Sequence, residues 1–251
     1  MTTLLLPPTT VAPPPASADP ARAHPVGPFE ETSTRLRTLA AGAPRVYAVA
    51  CIDEEPKRRW WYLGGSERAQ RIDLLYRRAL EDTDDPRIAA EQVAATLIHA
   101  IVGRVLAPFA LDGRVWDPGL DNLWLHQDSD GCVDWAGVAD DTLRVLPGDR
   151  AAGGPGTVVL PCEAAMAVWT AHRAVTALTA VHTAVDRCAP LGGARFWSMV
   201  GRAVVTGSAQ LPILAGASHR DAARRGQRLL DAFVAAGFPV RGLAGLGQPS
   251  L

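Results

Sequence analysis

Five residues carry the clearest chemistry in this chain: Arg104, Arg173, Arg195, Arg202 and Trp197. A guanidinium presents a planar fork of N–H donors that matches the oxygens of a carboxylate or phosphate, and an indole face stacks a planar ring. Gathered on predicted helices, these residues suit an acidic or catecholate small molecule. They fit equally a surface of solvated arginines over a core containing Trp197. His99 lies on the Ile98/Val102 side of a predicted core helix. It reads as a core histidine or as an axial haem ligand, and any haem would be sought there first.

Other chemistries find less support in the spacings. The six histidines form no His-Glu-x-x-His or comparable pair. The four cysteines, Cys51, Cys132, Cys162 and Cys188, show none of the close pairing that marks zinc or iron–sulfur ligation. No protein-ligated metal ion and no [2Fe-2S] cluster is therefore expected. Asp128, Asp130 and Asp134 lack the glutamate that completes an EF-hand loop, and they read as a solvated turn. Gly153-Gly154-Pro155-Gly156 lacks the lysine and hydroxyl residue of a phosphate-binding loop, and no Gly-x-Ser-x-Gly elbow occurs.

The elements that must hold the candidate residues are mostly helical. Asp85-Pro86 starts a helix, because aspartate caps free amides and proline fits the first helical position. Val93, Leu97, Ile101 and Val105 then recur every four residues, with Ile98 and Val102 widening the stripe, which predicts a core helix reaching Leu106. A long helix opens at Pro161-Cys162-Glu163 and reaches about Cys188, and it carries Arg173. A second runs over about 194–210 with Arg195, Trp197 and Arg202, and Pro212 should end or kink it. Ser218 and Asp221 start a third, stopped by Gly237 and Pro239.

Before these, the pattern predicts a helix over 29–41, a strand over 45–52, an extended piece at Trp60-Trp61-Tyr62, and a helix over 67–81 capped by Ser66. Extended pieces over 123–126, 132–135 and 142–146 make a small antiparallel meander, with one more strand over 157–160. The fold class is α+β and mostly helical: a small antiparallel sheet with a C-terminal three-helix bundle. One domain is expected over 29–241, with an α/β portion and meander over 29–160 and the bundle over 161–241. A disordered proline-rich tail over 1–28 precedes it, and a flexible tail over 242–251 follows.

Length and charge narrow the partners. A chain of 251 residues with 48% hydrophobic residues can bury a sizeable core. A net charge of −1 gives no overall field to attract nucleic acid, so none is expected as a partner. No secretory leader is evident, and the best membrane-span candidate, over 164–181, is interrupted by His172 and Arg173. The sequence reads as cytoplasmic.

Two blocks resemble a known family. The first is Ala94-Ala95-Thr96-Leu97-Ile98-His99-Ala100-Ile101-Val102-Gly103-Arg104-Val105-Leu106-Ala107-Pro108, followed by the strand Leu123-Trp124-Leu125. The second is the stretch over 195–209, which contains Phe196-Trp197-Ser198-Met199-Val200-Gly201-Arg202-Ala203 and is followed by Arg220-Asp221-Ala222-Ala223 and Leu229-Leu230. They are similar to the ferric iron reductase (FhuF-like) family and to the related C-terminal domain of aerobactin-type siderophore synthetases. Ser198-Met199 stands where the family has Gly-Asn. The resemblance covers about 86–238 and implies a protein that handles iron-loaded siderophores. Family members carry a cysteine-rich closing segment that holds a [2Fe-2S] cluster, and residues 242–251 contain no cysteine. The expectation is thus a cluster-free relative that binds an acidic or iron-chelating small molecule, with an electron-donor protein as partner if it reduces iron. Two other functions stay open: a tailoring enzyme of specialised-metabolite biosynthesis, with haem or without a cofactor, and a non-catalytic interaction subunit.

Overall fold

Proline at the first helical position opens α1 (Pro28–Arg37), which buries Phe29 and Leu36. This computed structural model describes residues 27–53 and 59–241, so most of the expected proline-rich tail and all of 242–251 lie outside the described residues. The helix ends at Arg37, short of the expected residue 41, where the Thr38 hydroxyl and amide both turn back onto the Arg35 carbonyl. Of the strand expected over 45–52, only β1 (Val49–Cys51) forms. The carbonyls just before it, Val46 and Ala48, are taken by side chains of the central helix. A short β2 (Trp60–Tyr62) follows, then α2 (Arg68–Thr83), which starts after Glu67 with no side-chain cap, so the expected Ser66 cap does not form.

The central helix is the spine of the molecule. It comprises α3 (Pro86–Ile98), a π-helical turn (His99–Gly103) and α4 (Arg104–Asp112). Asp85 caps it as predicted, its carboxylate accepting the amides of Arg87 at 2.8 Å and Ile88 at 3.1 Å. The helix runs past the expected end at Leu106 and through Pro108. The amide that proline lacks would have reached the Arg104 carbonyl, directly after the π turn, where the backbone ladder is already out of α register. Among the described residues, the one helix long and apolar enough to cross a membrane is Pro86–Asp112, not the stretch over 164–181, and 83% of its apolar window is buried inside the protein, as in a core helix.

The sheet is mixed rather than wholly antiparallel. Its order is β1-β4-β3-β2, with β3 (Leu123–Gln127) antiparallel to both β2 and β4 (Val133–Val138), and β1 parallel to β4 with Val49 opposite Ala136. The expected third meander strand instead becomes β5 (Leu143–Val145), paired in parallel with β6 (Thr157–Val159) in a separate two-stranded sheet. Asn122 accounts for the diversion. Its side-chain oxygen accepts the amides of Ala139 and Asp140 while its amide donates to the Asp140 and Asp117 carbonyls, so the chain leaving β4 is caught and turned.

The carboxy-terminal helices are α5 (Glu163–Cys188), α6 (Gly193–Ala215) and α7 (His219–Ala235). The Ser218 cap forms, its hydroxyl accepting the Asp221 amide at 3.2 Å. Pro212 sits inside the last turn of α6 and does not stop it; Gly216, at φ 60°, does. Gly226 lets α7 lie close on α6, because a Cβ there would come within 1.9 Å of the Ser208 hydroxyl. All three helices also pack against α3 or α4, so the bundle includes the central helix. Phe109, Phe196 and Phe233 are fully buried at this junction, each stabilising the fold by about 1.5–3 kcal/mol.

Candidate functional site

The π turn creates the most chemically loaded site in the described residues. In a regular α-helix, residues five apart point roughly 140° away from each other. Between His99 and Arg104 the backbone instead closes a wide turn, with the Arg104 amide donating to the His99 carbonyl. Both side chains thereby reach one cleft of about 560 Å³, within the range that accommodates small-molecule ligands. Ala43, Pro44, Arg45 and Val46 form one wall, and Val133 and Asp134 at the start of β4 form another.

Among the described residues, no carboxylate contacts the buried cation Arg104. Only 3% of the residue is exposed. Its Nη1 donates to the Ala48 carbonyl at 3.0 Å and its Nη2 to the Asp134 carbonyl at 3.2 Å, whereas the buried Nε–H has no partner. Two bonds from five available donors leave the group under-satisfied. Burial lowers its pKa to about 10, against the attraction of the Asp134 carboxylate. At neutral pH it therefore stays charged, fixed between β1 and β4.

His99 is held at the opposite end of its ring. The Val46 carbonyl lies 2.8 Å from Nε2, and because a carbonyl only accepts, Nε2 carries the proton. Nδ1 then keeps its lone pair and is turned toward Gly103 of its own helix. Burial, reinforced by the charge of Arg104, holds the imidazole below its ordinary pKa of 6.5, although the Val46 bond works the other way. Gly103 provides the space for the ring, since a Cβ there would lie 2.3 Å from Nδ1. The geometry does not fit His99 as an axial haem ligand: Nε2 is committed to Val46, and Nδ1 lies against the next turn of its own helix, where a macrocycle cannot approach.

The rim is a second network. Asp134 accepts from His126 Nδ1 at 2.6 Å and from Arg45 at 2.5 Å, and the Arg45 guanidinium lies 4.8 Å from the Trp135 ring centre. Burial by itself would raise the Asp134 carboxyl, but the bonds from His126 and Arg45 outweigh it and hold the pKa below the usual carboxylate range. Trp60 packs edge-on against His126. The Asp134 carboxylate is thus occupied by its neighbours, and only the backbone carbonyl of Asp134 meets the Arg104 guanidinium. It stands apart from Asp128, whose carboxylate caps its own turn by accepting the Cys132 amide. The sequence reading grouped Asp134 with that turn and passed over Arg45 and His126. The available signal was an ionisable residue within each strand of one hairpin.

The five residues singled out from sequence are not brought together. Arg104 alone enters the cleft. Arg173 is tied to Asp117 at 2.8 Å and to Asp121, pinning α5 to the loop before β3. Arg195 forks Glu91 at 3.0 and 2.7 Å across α6 and α3. Trp197 is a core residue, its ring 4.2 Å from that of Phe238 and flanked by Phe196 and Phe233. Arg202 borders a separate shallow groove with Ala95, Ile98, Met199, Ala203 and Thr206. The solvated-surface reading applies to Arg202, and ion-pair staples describe Arg173 and Arg195.

Among the described residues no group of three or more His, Cys, Asp or Glu side chains could hold a metal ion. Comparison with protein-family models, with characterised proteins and with solved structures finds no match to this chain.

Proposed function

We propose that the protein binds an acidic small molecule in the cleft between the 43–46 segment, the π turn and the start of β4, with Arg104 as its counter-charge. One observation carries this reading. Arg104 is buried and cationic, held by two carbonyls and without an ion-pair partner among the described residues, in the wall of a cleft large enough for a ligand. A desolvated charge is costly unless an anion compensates it, and a preorganised guanidinium is a strong receptor for one. The walls of Ala43, Pro44, Val46 and Val133 suit an apolar or aromatic body behind the acid group.

An iron-chelating acid of the siderophore type is the first ligand to test, because the family resemblance implies one and its first block contains both His99 and Arg104. The experiment is a calorimetric titration of the purified chain with aromatic and aliphatic carboxylates and with ferric and metal-free siderophores, repeated on Arg104→Met. Binding that saturates at one site and weakens at least tenfold in Arg104→Met supports the proposal. Equal affinity in the variant, or no binding by any acid, overturns it. A change in the visible spectrum of a ferric siderophore at stoichiometric ratio selects the iron-handling form of the reading.

A further inference from the structure

We infer that this cleft selects its ligand by charge: it takes an acid bearing a single negative charge, a monocarboxylate, and the Asp134 carboxylate rejects dianions such as phosphate monoesters and dicarboxylates. The inference rests on the reading just given and names which acids that reading concerns. Among the described residues, the ionisable groups lining the cleft are Arg45, His99, Arg104 and Asp134. His99 is neutral at neutral pH, because its proton sits on Nε2 against the Val46 carbonyl and burial holds its pKa below 6.5. Two guanidiniums and one carboxylate remain, so this lining carries one net positive charge.

The three charges have different roles. Both Asp134 carboxylate oxygens are engaged, one accepting from His126 Nδ1 at 2.6 Å and the other from Arg45 at 2.5 Å, and these bonds keep the group ionised at neutral pH. Arg45 is spent on Asp134 and on the face of Trp135, 4.8 Å from the ring centre. Arg104 is the cation of this lining that no carboxylate contacts, and its Nη2 donates to the backbone carbonyl of Asp134 itself. An anion seated on Arg104 therefore lies beside a fixed negative charge. Its first charge is balanced by Arg104. A second would be desolvated next to Asp134 with no cation of the lining left to meet it, and drawing Arg45 away would break one ion pair to form another. Discrimination of this kind works by repulsion of the wrong ligand, so Asp134 is a specificity-determining residue that forms no bond to the right one.

Acids built on one phenyl ring test this on the full chain: benzoate and benzenesulfonate as monoanions, isophthalate and phenylphosphonate as dianions, each titrated at pH 8. The monoanions are expected to bind about tenfold or more tightly than the dianions. In Asp134→Asn that ratio should shrink by about tenfold, with the dianions gaining most. The unmodified protein gives a readout independent of variant folding. Phenylphosphonate takes up its second proton near neutrality, so its affinity should rise about tenfold from pH 8 to pH 6 relative to benzenesulfonate. The sulfonate keeps its charge throughout and thus cancels any change in His99, His126, Asp134, Arg45 or Arg104. Dianions that bind as tightly as monoanions, or a phosphonate-to-sulfonate ratio that does not move with pH, overturn the inference while acid binding at Arg104 stands. If no acid binds even at millimolar concentration, both fall together.

Discussion

Arg104 and Arg114 are both buried guanidiniums on or just beyond the same helix, yet their surroundings differ. Arg114, 7% exposed, forks Asp149 with bonds of 2.6 and 2.9 Å and gives a third to the Thr32 hydroxyl at 3.0 Å. Arg104, 3% exposed, has two carbonyls and an idle Nε–H. Bidentate pairing to a buried carboxylate closes the electrostatic circuit within the fold, so Arg114 reads as a staple joining α1 and the loop after β5 to the end of α4. The unclosed circuit at Arg104 is what a ligand could complete. A buried arginine is thus informative through its partners and not through burial itself.

The largest test of this contrast falls on the staple. Asp149→Ala leaves Arg114 buried without its carboxylate and should cost about 3–5 kcal/mol in a urea titration, while the surviving folded protein keeps its affinity for acids. Arg104→Met should cost less, about 1–2 kcal/mol for two lost carbonyl bonds, because a desolvated charge is removed with them. Its main effect is on binding. A stability loss for Arg104→Met as large as that for Asp149→Ala would make both residues staples and end the distinction.

The two regions should also respond at different pH. His99, facing Arg104 and Tyr47, has its folded pKa lowered, by burial first and by Arg104 second, below the ordinary 6.5. The unfolded chain then takes up a proton that the folded chain refuses, so stability falls as pH drops through about 6.5. For Asp149, burial would raise the carboxyl, but the Arg114 bond outweighs it and the net shift is downward from 3.8. Its contribution is complete above that value and is lost as pH falls below it. Denaturant midpoints measured from pH 8 to 3 should show both steps, and His99→Gln should remove only the upper one. The smallest effect is expected for Gly103→Ala. The new methyl would meet the imidazole at Nδ1 and strain its bond to Val46, yet the gain in helix propensity offsets part of that strain, so stability should fall by about 1 kcal/mol while acid binding at Arg104 is kept.

How much was legible in the sequence depended on the range of the interaction. The caps at Asp85 and Ser218 are set by side chains two or three residues from the amides they satisfy, and both were read correctly. The mostly helical α+β class followed from apolar periodicity. The π turn left no such trace: His99 and Arg104, spaced five apart, sit on different faces of any helix drawn from a 3.6-residue period. The rim depends on Asp134 meeting both His126 and Arg45, which only the folded chain brings together. Ion-pair partners were also invisible, so Arg173 and Arg195 looked as available as Arg104. The diversion of β5 into its own sheet turns on one side chain, Asn122, whose four bonds reach residues on both sides of β4.

The parallel pairing of β1 with β4 has a kinetic consequence. Val49 meets Ala136 only after α2, the whole central helix and β3 have been placed between them, whereas α5, α6 and α7 join through short turns. Contacts of such long loop closure tend to form late in folding. The carbonyls that hold Arg104 belong to this pair, Ala48 just before β1 and Asp134 within β4, so the cleft is finished in the last steps of assembly. A ligand seated there would slow unfolding and leave the rate of folding nearly unchanged, which makes resistance to slow unfolding, as in a protease-digestion time course, a sensitive reporter of occupancy.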